Sequence, residues 1–107
     1  MSFIQLCGCW RMAKAAEGID AGSAVEMEFE PSGRLIYGVL DGDKWQVMLL
    51  TYCVEGNAIV SDQPSSRREE RTRFEITESG DLVLNWSGKP TCFVRIPSRS
   101  FRIPDNQ

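Results

Sequence analysis

The ten residues from Ala24 to Gly33, AVEMEFEPSG, contain a strand pattern followed by a turn. Val25, Met27 and Phe29 alternate with glutamates at positions 26, 28 and 30. A period of two residues places apolar side chains on one face of a strand and charged side chains on the other, so the glutamate row is expected to face water. Pro-Ser-Gly then forms a turn, since proline fixes φ and glycine supplies positive φ.

Similar segments recur along the chain, most of them separated by short turns that contain glycine. The predicted strands are Leu6–Met12, Ala24–Glu30, Arg34–Leu40, Lys44–Val54, Ala58–Asp62, Glu69–Thr77, Asp81–Trp86 and Pro90–Ile96. Hairpin-length connections make neighbours in sequence neighbours in the sheet, and a meander of this size can close on itself without free edges. The sequence therefore predicts an all-β fold, a small antiparallel up-and-down barrel of about eight strands.

A length of 107 residues predicts one domain over residues 1–107. The barrel is expected from about residue 6 to residue 96, with an irregular tail over residues 97–107. Ala13–Ser23 interrupts the strand pattern, and its glycines indicate a loop or lid. Phe3–Leu6 is expected to form a short turn capped by Ser2.

Charge and hydropathy exclude several classes of function. The formal net charge of −3 argues against a broad basic face for nucleic acid. The stretch Arg67–Arg73 mixes arginines with glutamates, which predicts a solvated hairpin edge and no nucleic-acid contact. No apolar run approaches the roughly 20 residues that span a membrane. The first residues lack the features of a secretory leader, so a cytoplasmic location is expected.

The chain has four cysteines and no histidine. The lack of histidine removes Ser-His-Asp and Cys-His nucleophile arrangements and histidine metal sites. An extended Leu6–Arg11 would project Cys7 and Cys9 from one face with parallel side chains, roughly 6 to 7 Å apart, a geometry that does not suit a disulfide. Zinc sites with four cysteine ligands typically use pairs of cysteines separated by two residues, and this sequence has no such pair. We therefore predict reduced cysteines, no metal and no cofactor.

Trp10 is a bulky side chain placed early on the first predicted strand. In an eight-stranded barrel such a residue can plug the end where the first and last strands meet. A cation lying over its indole face would bind the ring and donate hydrogen bonds to loose carbonyls. Arg95, on the last predicted strand, supplies that cation.

These residues resemble the lipocalin and fatty-acid-binding (calycin) group. Gly8-Cys9-Trp10 is similar to the Gly-x-Trp motif of that group's first strand, and Arg95 resembles its stacking arginine on the final strand. The order of motifs along the chain also resembles that of short bacterial lipocalin-like domains. In this chain the motifs are Leu6-x-Gly8-x-Trp10, Phe29 to Gly33, Tyr52 to Asn57 and Phe93-Val94-Arg95. The resemblance implies a lipocalin-like barrel in which Gly8, Trp10 and Arg95 have a structural, barrel-closing role.

Two functional classes follow from this barrel. In the first, it binds a small apolar or amphipathic ligand without catalysis, and the ligand enters at the end opposite Trp10. Aromatic and thioether side chains adapt to such ligands, so the candidate wall residues are Phe29, Tyr37, Met48 and Trp86. In the second, the barrel is filled by its own side chains and serves as a protein-interaction domain with no small ligand.

An enzyme is a third class, because some calycin-like barrels catalyse reactions with Tyr, Arg and Glu. Tyr37, Tyr52, Arg34 and Glu75 are of those types, but the sequence does not bring them together, and no catalytic residue is assigned.

Lys44–Val54 is apolar on both faces, so the sequence leaves open which face points inward. The two faces carry Trp45, Val47, Leu49 and Cys53 on one side and Gln46, Met48, Leu50, Tyr52 and Val54 on the other. The outer face is expected to be covered by the tail, by Ala13–Ser23 or by a second copy of the chain in a homodimer.

Overall fold

A computed structural model of the chain describes residues 3–14, 24–63, 69–86 and 88–102, with only the backbone described at residues 3, 4, 14 and 86. These residues form one short helix and eight strands. The elements are α1 (Phe3–Leu6), β1 (Gly8–Lys14), β2 (Val25–Phe29), β3 (Arg34–Asp41), β4 (Lys44–Glu55), β5 (Ala58–Asp62), β6 (Glu70–Ile76), β7 (Leu82–Trp86) and β8 (Lys89–Ile96). Each strand pairs antiparallel with the next, and β8 pairs with β1. The predicted closed up-and-down barrel is confirmed.

The first strand begins later than the sequence pattern suggested. Leu6 ends α1, and Gly8 opens β1 with a φ of 126°, a value in the region that favours glycine. Cys7 therefore lies between the two elements, while Cys9 lies on the outward face of β1, opposite in parity to the buried Trp10. The expectation that Cys7 and Cys9 share one strand face was wrong for this reason. The other predicted strands differ from the observed ones by at most one residue at an end.

Strand register decides which face of β4 points inward. Directly paired residues of an antiparallel sheet project to the same face. Leu35 pairs with Leu50, and Tyr37 pairs with Met48, so β4 shares the inward face of β3 through its even-numbered residues. The buried inward side chains form the core: Leu6, Trp10, Val25, Met27, Phe29, Leu35, Tyr52, Ile59, Phe74, Leu82, Leu84 and Phe93.

The barrel has two distinct ends, which we call the closed end and the far end. The closed end carries α1 and the turns at residues 30–33, 56–57 and 77–80. The far end carries the turn at residues 42–43 and the ends of β5 and β6 at Asp62 and Glu70. Residues 15–23, which include most of the predicted loop or lid, lie outside the described residues.

The described part of the tail, residues 97–102, lies across the outer face of β1 to β4. The Arg99 Nε donates to Glu28 Oε1 at 2.6 Å. The backbone nitrogen and Oγ of Ser100 donate to the two carboxylate oxygens of Glu26, at 2.7 and 2.6 Å. Glu26 is consequently 0% exposed, so the prediction that the whole glutamate row faces water was wrong at this residue.

Phe101 completes the docking of the tail. Its ring lies 4.9 Å, centroid to centroid, from Trp45 on the outer face of β4. A Cβ at Gly38 of β3 would lie 2.5 Å from the Phe101 ring, so the lack of a side chain at Gly38 makes room for this contact. The tail, one of the covers expected for the outer face of β4, therefore occupies this part of it.

The charged stretch of β6 is solvated, but not at a sheet edge. Arg71 and Arg73 are exposed, and Arg71 Nη2 donates to Glu55 on β4 at 2.7 Å. β6 pairs with β5 on one side and β7 on the other, so it has no free edge to protect. The edge explanation for these charges was wrong, because barrel closure removes edges. Residues 67 and 68 lie outside the described part of the chain.

Within the ranges that the structure describes, no helix combines the length and apolar character needed to cross a membrane.

Replacing Phe101 with alanine is expected to lower the free energy of unfolding by about 3 kcal/mol, because a buried ring is lost from its contact with Trp45 and Gly38. Arg102→Ala, at the exposed neighbouring position, is the control and is expected to change it by less than about 0.5 kcal/mol. Urea unfolding followed by circular dichroism measures both. Equal midpoints for the two variants would contradict the docked position of the tail.

Candidate functional site

Trp10 and Leu6 fill the closed end of the barrel. Both side chains are fully buried, and the Trp10 Nε1 donates to the backbone oxygen of Leu6 at 2.9 Å. This hydrogen bond satisfies the polar atom of the indole while its ring remains in the core. The closed end is therefore blocked by side chains that the first residues of the chain supply.

Arg95 of β8 lies over Trp10. Its Cζ is 4.2 Å from the ring centroid, a distance at which a guanidinium is attracted by the aromatic face. Its Nη1 donates to the Cys7 oxygen at 2.8 Å, and its Nη2 donates to the Gln5 oxygen at 2.6 Å. The last carbonyls of a helix lack partners within it, so Arg95 caps α1 as well as stacking on the indole.

Gly8 lies directly against Arg95. A Cβ built at Gly8 would meet the Arg95 Nη1, and its φ of 126° is also unfavourable for other residues. The structure thus brings together the three residues for which the resemblance implies a closing role.

Tyr52 anchors the next part of the closed end. Its hydroxyl donates to the Glu30 oxygen at 2.7 Å, and its ring meets Phe29 edge-on with centroids 5.1 Å apart. Burial raises the pKa of Tyr52, and so does its contact with the Cys7 thiol. Tyr52 therefore remains a protonated donor at neutral pH and holds Phe29 in place.

A cavity of about 280 Å³ lies inside the barrel, between Phe29 and the far end. Its lining falls into two groups. The apolar wall comes from β2, β3 and β4 and consists of Met27, Phe29, Leu35, Tyr37, Met48 and Leu50. The polar wall comes from β5, the residue after it and β6 and consists of Ser61, Gln63, Glu70 and Thr72. Ile59 and Leu84 complete the lining.

The cavity opens at the far end, opposite Trp10. Met48 faces inward and lines the cavity, yet it is 41% exposed. Glu70, also in the lining, is exposed as well. An inward-facing apolar side chain reaches solvent only where the barrel is open, so these residues mark the mouth.

The sequence named four candidate wall residues, and Phe29, Tyr37 and Met48 all line this cavity. The side chain of the fourth, Trp86, lies outside the described residues. Burial raises the pKa of Tyr37, so its hydroxyl is uncharged at neutral pH.

Sequence reasoning missed the polar wall. Strand parity contained the signal: Phe74 is in the core, and residues 72 and 70 share its face of β6. The mixed charges of Arg67–Arg73 instead predict that Thr72 and Glu70 face solvent. Ser61 is likewise two residues from the buried Ile59 on β5.

The residue types considered for catalysis do not meet at one site. Tyr37 lines the cavity, whereas Tyr52 lies at the closed end. Arg34 is exposed and contacts both carboxylate oxygens of Glu30 at 2.7 and 2.9 Å, which holds the pKa of that carboxyl below its usual range. Glu75 is exposed on the outward face of β6.

The four cysteines are free thiols in different surroundings. Cys53 is exposed, Cys7 and Cys92 are half-buried, and Cys9 is buried beneath the tail. Burial raises the pKa of Cys9, and the neighbouring Glu28 raises it further, while Arg99 opposes both effects. Within the described ranges, no group of three or more cysteine, aspartate or glutamate residues is placed to hold a metal ion.

Comparison with known proteins gives no assignment: no family model matches the chain, and no curated protein or solved structure does so. The closed eight-stranded antiparallel barrel is compatible with a lipocalin-like fold. Membership of the calycin group stays a prediction based on the resemblance.

Trp10→Ala is expected to lower the free energy of unfolding by about 3 to 5 kcal/mol, since it removes a fully buried ring from the core. Arg95→Ala is expected to lower it by about 1 to 2 kcal/mol, because it removes one stacking contact and two hydrogen bonds from a side chain that is itself exposed. Arg73→Ala, at an exposed position of β6, is the control, with an expected change below about 0.5 kcal/mol. Denaturant unfolding measures all three. If Arg95→Ala behaved like Arg73→Ala, Arg95 would not stabilise the closed end.

The thiols are expected to react in the order of their exposure. Cys53 reacts first with an aromatic disulfide reagent, and Cys9 reacts last because it is buried and its raised pKa lowers the thiolate fraction. The unfolded protein is expected to titrate all four thiols. Absorbance time courses of the wild type and Cys53→Ser identify the fast phase. Fewer thiols after unfolding, or a fast phase that Cys53→Ser retains, would contradict this assignment.

Proposed function

We propose that this chain is a lipocalin-like, non-enzymatic binding protein that takes a small apolar or amphipathic molecule into its barrel through the far end. The observation that carries the proposal is the cavity of about 280 Å³, with an apolar wall and an open mouth. Ligand sites are typically concave and mostly apolar with a few polar groups, which is the composition of this lining.

The volume of the cavity limits the size of the ligand. An apolar cavity of about 150 Å³ accommodates benzene, so this cavity suits one ring with a short substituent. Larger amphiphiles such as retinoids or haem-like molecules would extend well beyond the mouth. A small ring-bearing amphiphile is therefore the favoured ligand, and the larger molecules serve as size controls.

The side chains of the apolar wall support binding of such a ring. Met27 and Met48 contribute thioethers, which are polarisable and adapt to the shape of an apolar ligand. Phe29 and Tyr37 offer aromatic faces for edge-to-face or offset stacking. The ring of Phe29 also packs edge-on against Tyr52. This contact fixes the inner end of the cavity before a ligand enters.

The alternative function, a filled barrel acting only in protein interaction, is less well supported. A barrel filled by its own side chains would leave little volume between Phe29 and the mouth. The outer face around Trp45, which would be one docking surface, is already in contact with Phe101 of the tail.

Binding can be tested with methyl-labelled methionine and small ring compounds such as 2-phenylethanol and indole. The methyl signals of Met27 and Met48, assigned with Met→Leu variants, are expected to shift on titration with dissociation constants below about 1 mM. Retinol and haem, as size controls, are expected to shift them less.

Thr72→Phe places a ring in the cavity and is expected to abolish the shifts, whereas Thr51→Phe, at an exposed outward position of β4, is expected to retain them. Both variants are first checked for cooperative unfolding. Signals that stay unchanged up to millimolar ligand, or equal binding by the two folded variants, would replace this function with the interaction-domain alternative.

A further inference from the structure

The polar wall differs from the rest of the inward-facing surface of this barrel. Positions that face inward on neighbouring strands hold Phe29, Leu35 and Leu50, as an apolar core requires. On β5 and β6, however, Ser61 and Thr72 face the cavity. Ser61 and Thr72 are half-buried and Glu70 is exposed, so water reaches these side chains, and a ligand in the cavity has to replace the hydrogen bonds of the water that it displaces. Their grouping on one side of the cavity points to recognition of a polar group.

Strand register brings these side chains together. Ser61 pairs directly with Glu70, and Ile59 pairs directly with Thr72. Directly paired residues have Cβ atoms about 5 Å apart, so the Ser61 hydroxyl and the Glu70 carboxylate reach the same region of the mouth. Gln63 also lines this side of the cavity. The wall thus presents two hydroxyls, an amide and a carboxylate to a molecule in the cavity.

The chemistry of this wall favours hydrogen-bond donors in the ligand. The Glu70 carboxylate only accepts hydrogen bonds and carries a negative charge, while the hydroxyls and the amide also offer acceptor oxygens. A protonated amine would gain both hydrogen bonds and attraction to Glu70. A hydroxyl would gain the hydrogen bonds alone, and a carboxylate would be repelled by the charge of Glu70.

The opposite wall determines how such a ligand would lie. Met27, Tyr37 and Met48 contact an apolar body, and the polar wall faces them across the cavity. A molecule with a ring on one side and a donor on the other therefore satisfies both walls at once. A purely apolar ligand would leave the hydroxyls and amide without partners, which reduces its affinity.

We infer that the cavity selects small ring-bearing amphiphiles whose polar group donates hydrogen bonds, with primary amines preferred over alcohols and alcohols over carboxylates. This inference rests on the proposed binding function and adds the chemical class of the ligand. It assigns Ser61, Glu70 and Thr72 as the residues that determine specificity.

Three compounds with the same body test the inference: 2-phenylethylamine, 2-phenylethanol and phenylacetate. Titrations at pH 7, followed by the methyl signals of Met27 and Met48, give their dissociation constants. The amine is expected to bind about fivefold tighter than the carboxylate, because an interaction with an exposed charge is worth up to about that factor. The difference is expected to decrease as salt concentration rises.

Glu70→Gln removes the charge and retains a hydrogen-bonding side chain. It is expected to reduce the preference for amine over carboxylate by about fivefold and to change alcohol binding by less than about twofold. Glu75→Gln, an exposed outward position on the same strand, is the matched control and is expected to change none of the three affinities.

The outcomes separate the inference from the function. If all three compounds bind equally well, or phenylacetate binds tightest, the inference is overturned while the binding function stands. If none of them binds and the methionine signals respond to no ring compound, both are overturned. A preference for the amine that Glu70→Gln and Glu75→Gln reduce equally would also overturn the role of Glu70.

Discussion

The contact between Arg95 and Trp10 joins the last strand of this barrel to its first. A meander has two free edges until its outer strands pair, and here β1 and β8 place these two residues opposite each other. Arg95 also donates to the carbonyls of Gln5 and Cys7, so one side chain holds β8, β1 and α1 together. Because α1 and Trp10 fill this end, solvent reaches the interior only from the other end in the described part of the barrel.

The sequence was sufficient for the fold because alternation and glycine turns are local signals. It was insufficient for details that depend on distant residues. At the start of β1, Arg95 of the last strand donates to the carbonyls of Gln5 and Cys7, next to Gly8 with its positive φ. Gly8 is a local sign of a break before the strand, because glycine admits positive φ. The pattern of Leu6–Arg11 also fits a strand that begins at Leu6, and that interpretation gave the wrong relative positions of Cys7 and Cys9.

Glu26 is a second case in which a distant residue determines what the local sequence pattern does not predict. Its local pattern matches that of Glu28 and Glu30, yet Glu26 alone is fully buried, whereas Glu28 and Glu30 remain partly exposed. The difference comes from Ser100, which donates two hydrogen bonds to the carboxylate from the tail. A buried carboxylate is tolerable when such donors replace water. Burial at this position is thus a property of the docked tail, and a period of two residues carries no information about it.

The cavity was partly predictable for a different reason. Phe29, Tyr37 and Met48 were predicted because aromatic and thioether side chains adapt to apolar ligands, and all three line the cavity. Glu70 and Thr72 were missed because charge and hydroxyl groups suggest solvent, although their parity with Phe74 points inward. When composition and parity disagree on a strand, parity follows from backbone geometry and is the stronger constraint. These side chains are half-buried or exposed, so water at the mouth reaches them, and the ligand that we propose would have to replace the hydrogen bonds of the water that it displaces.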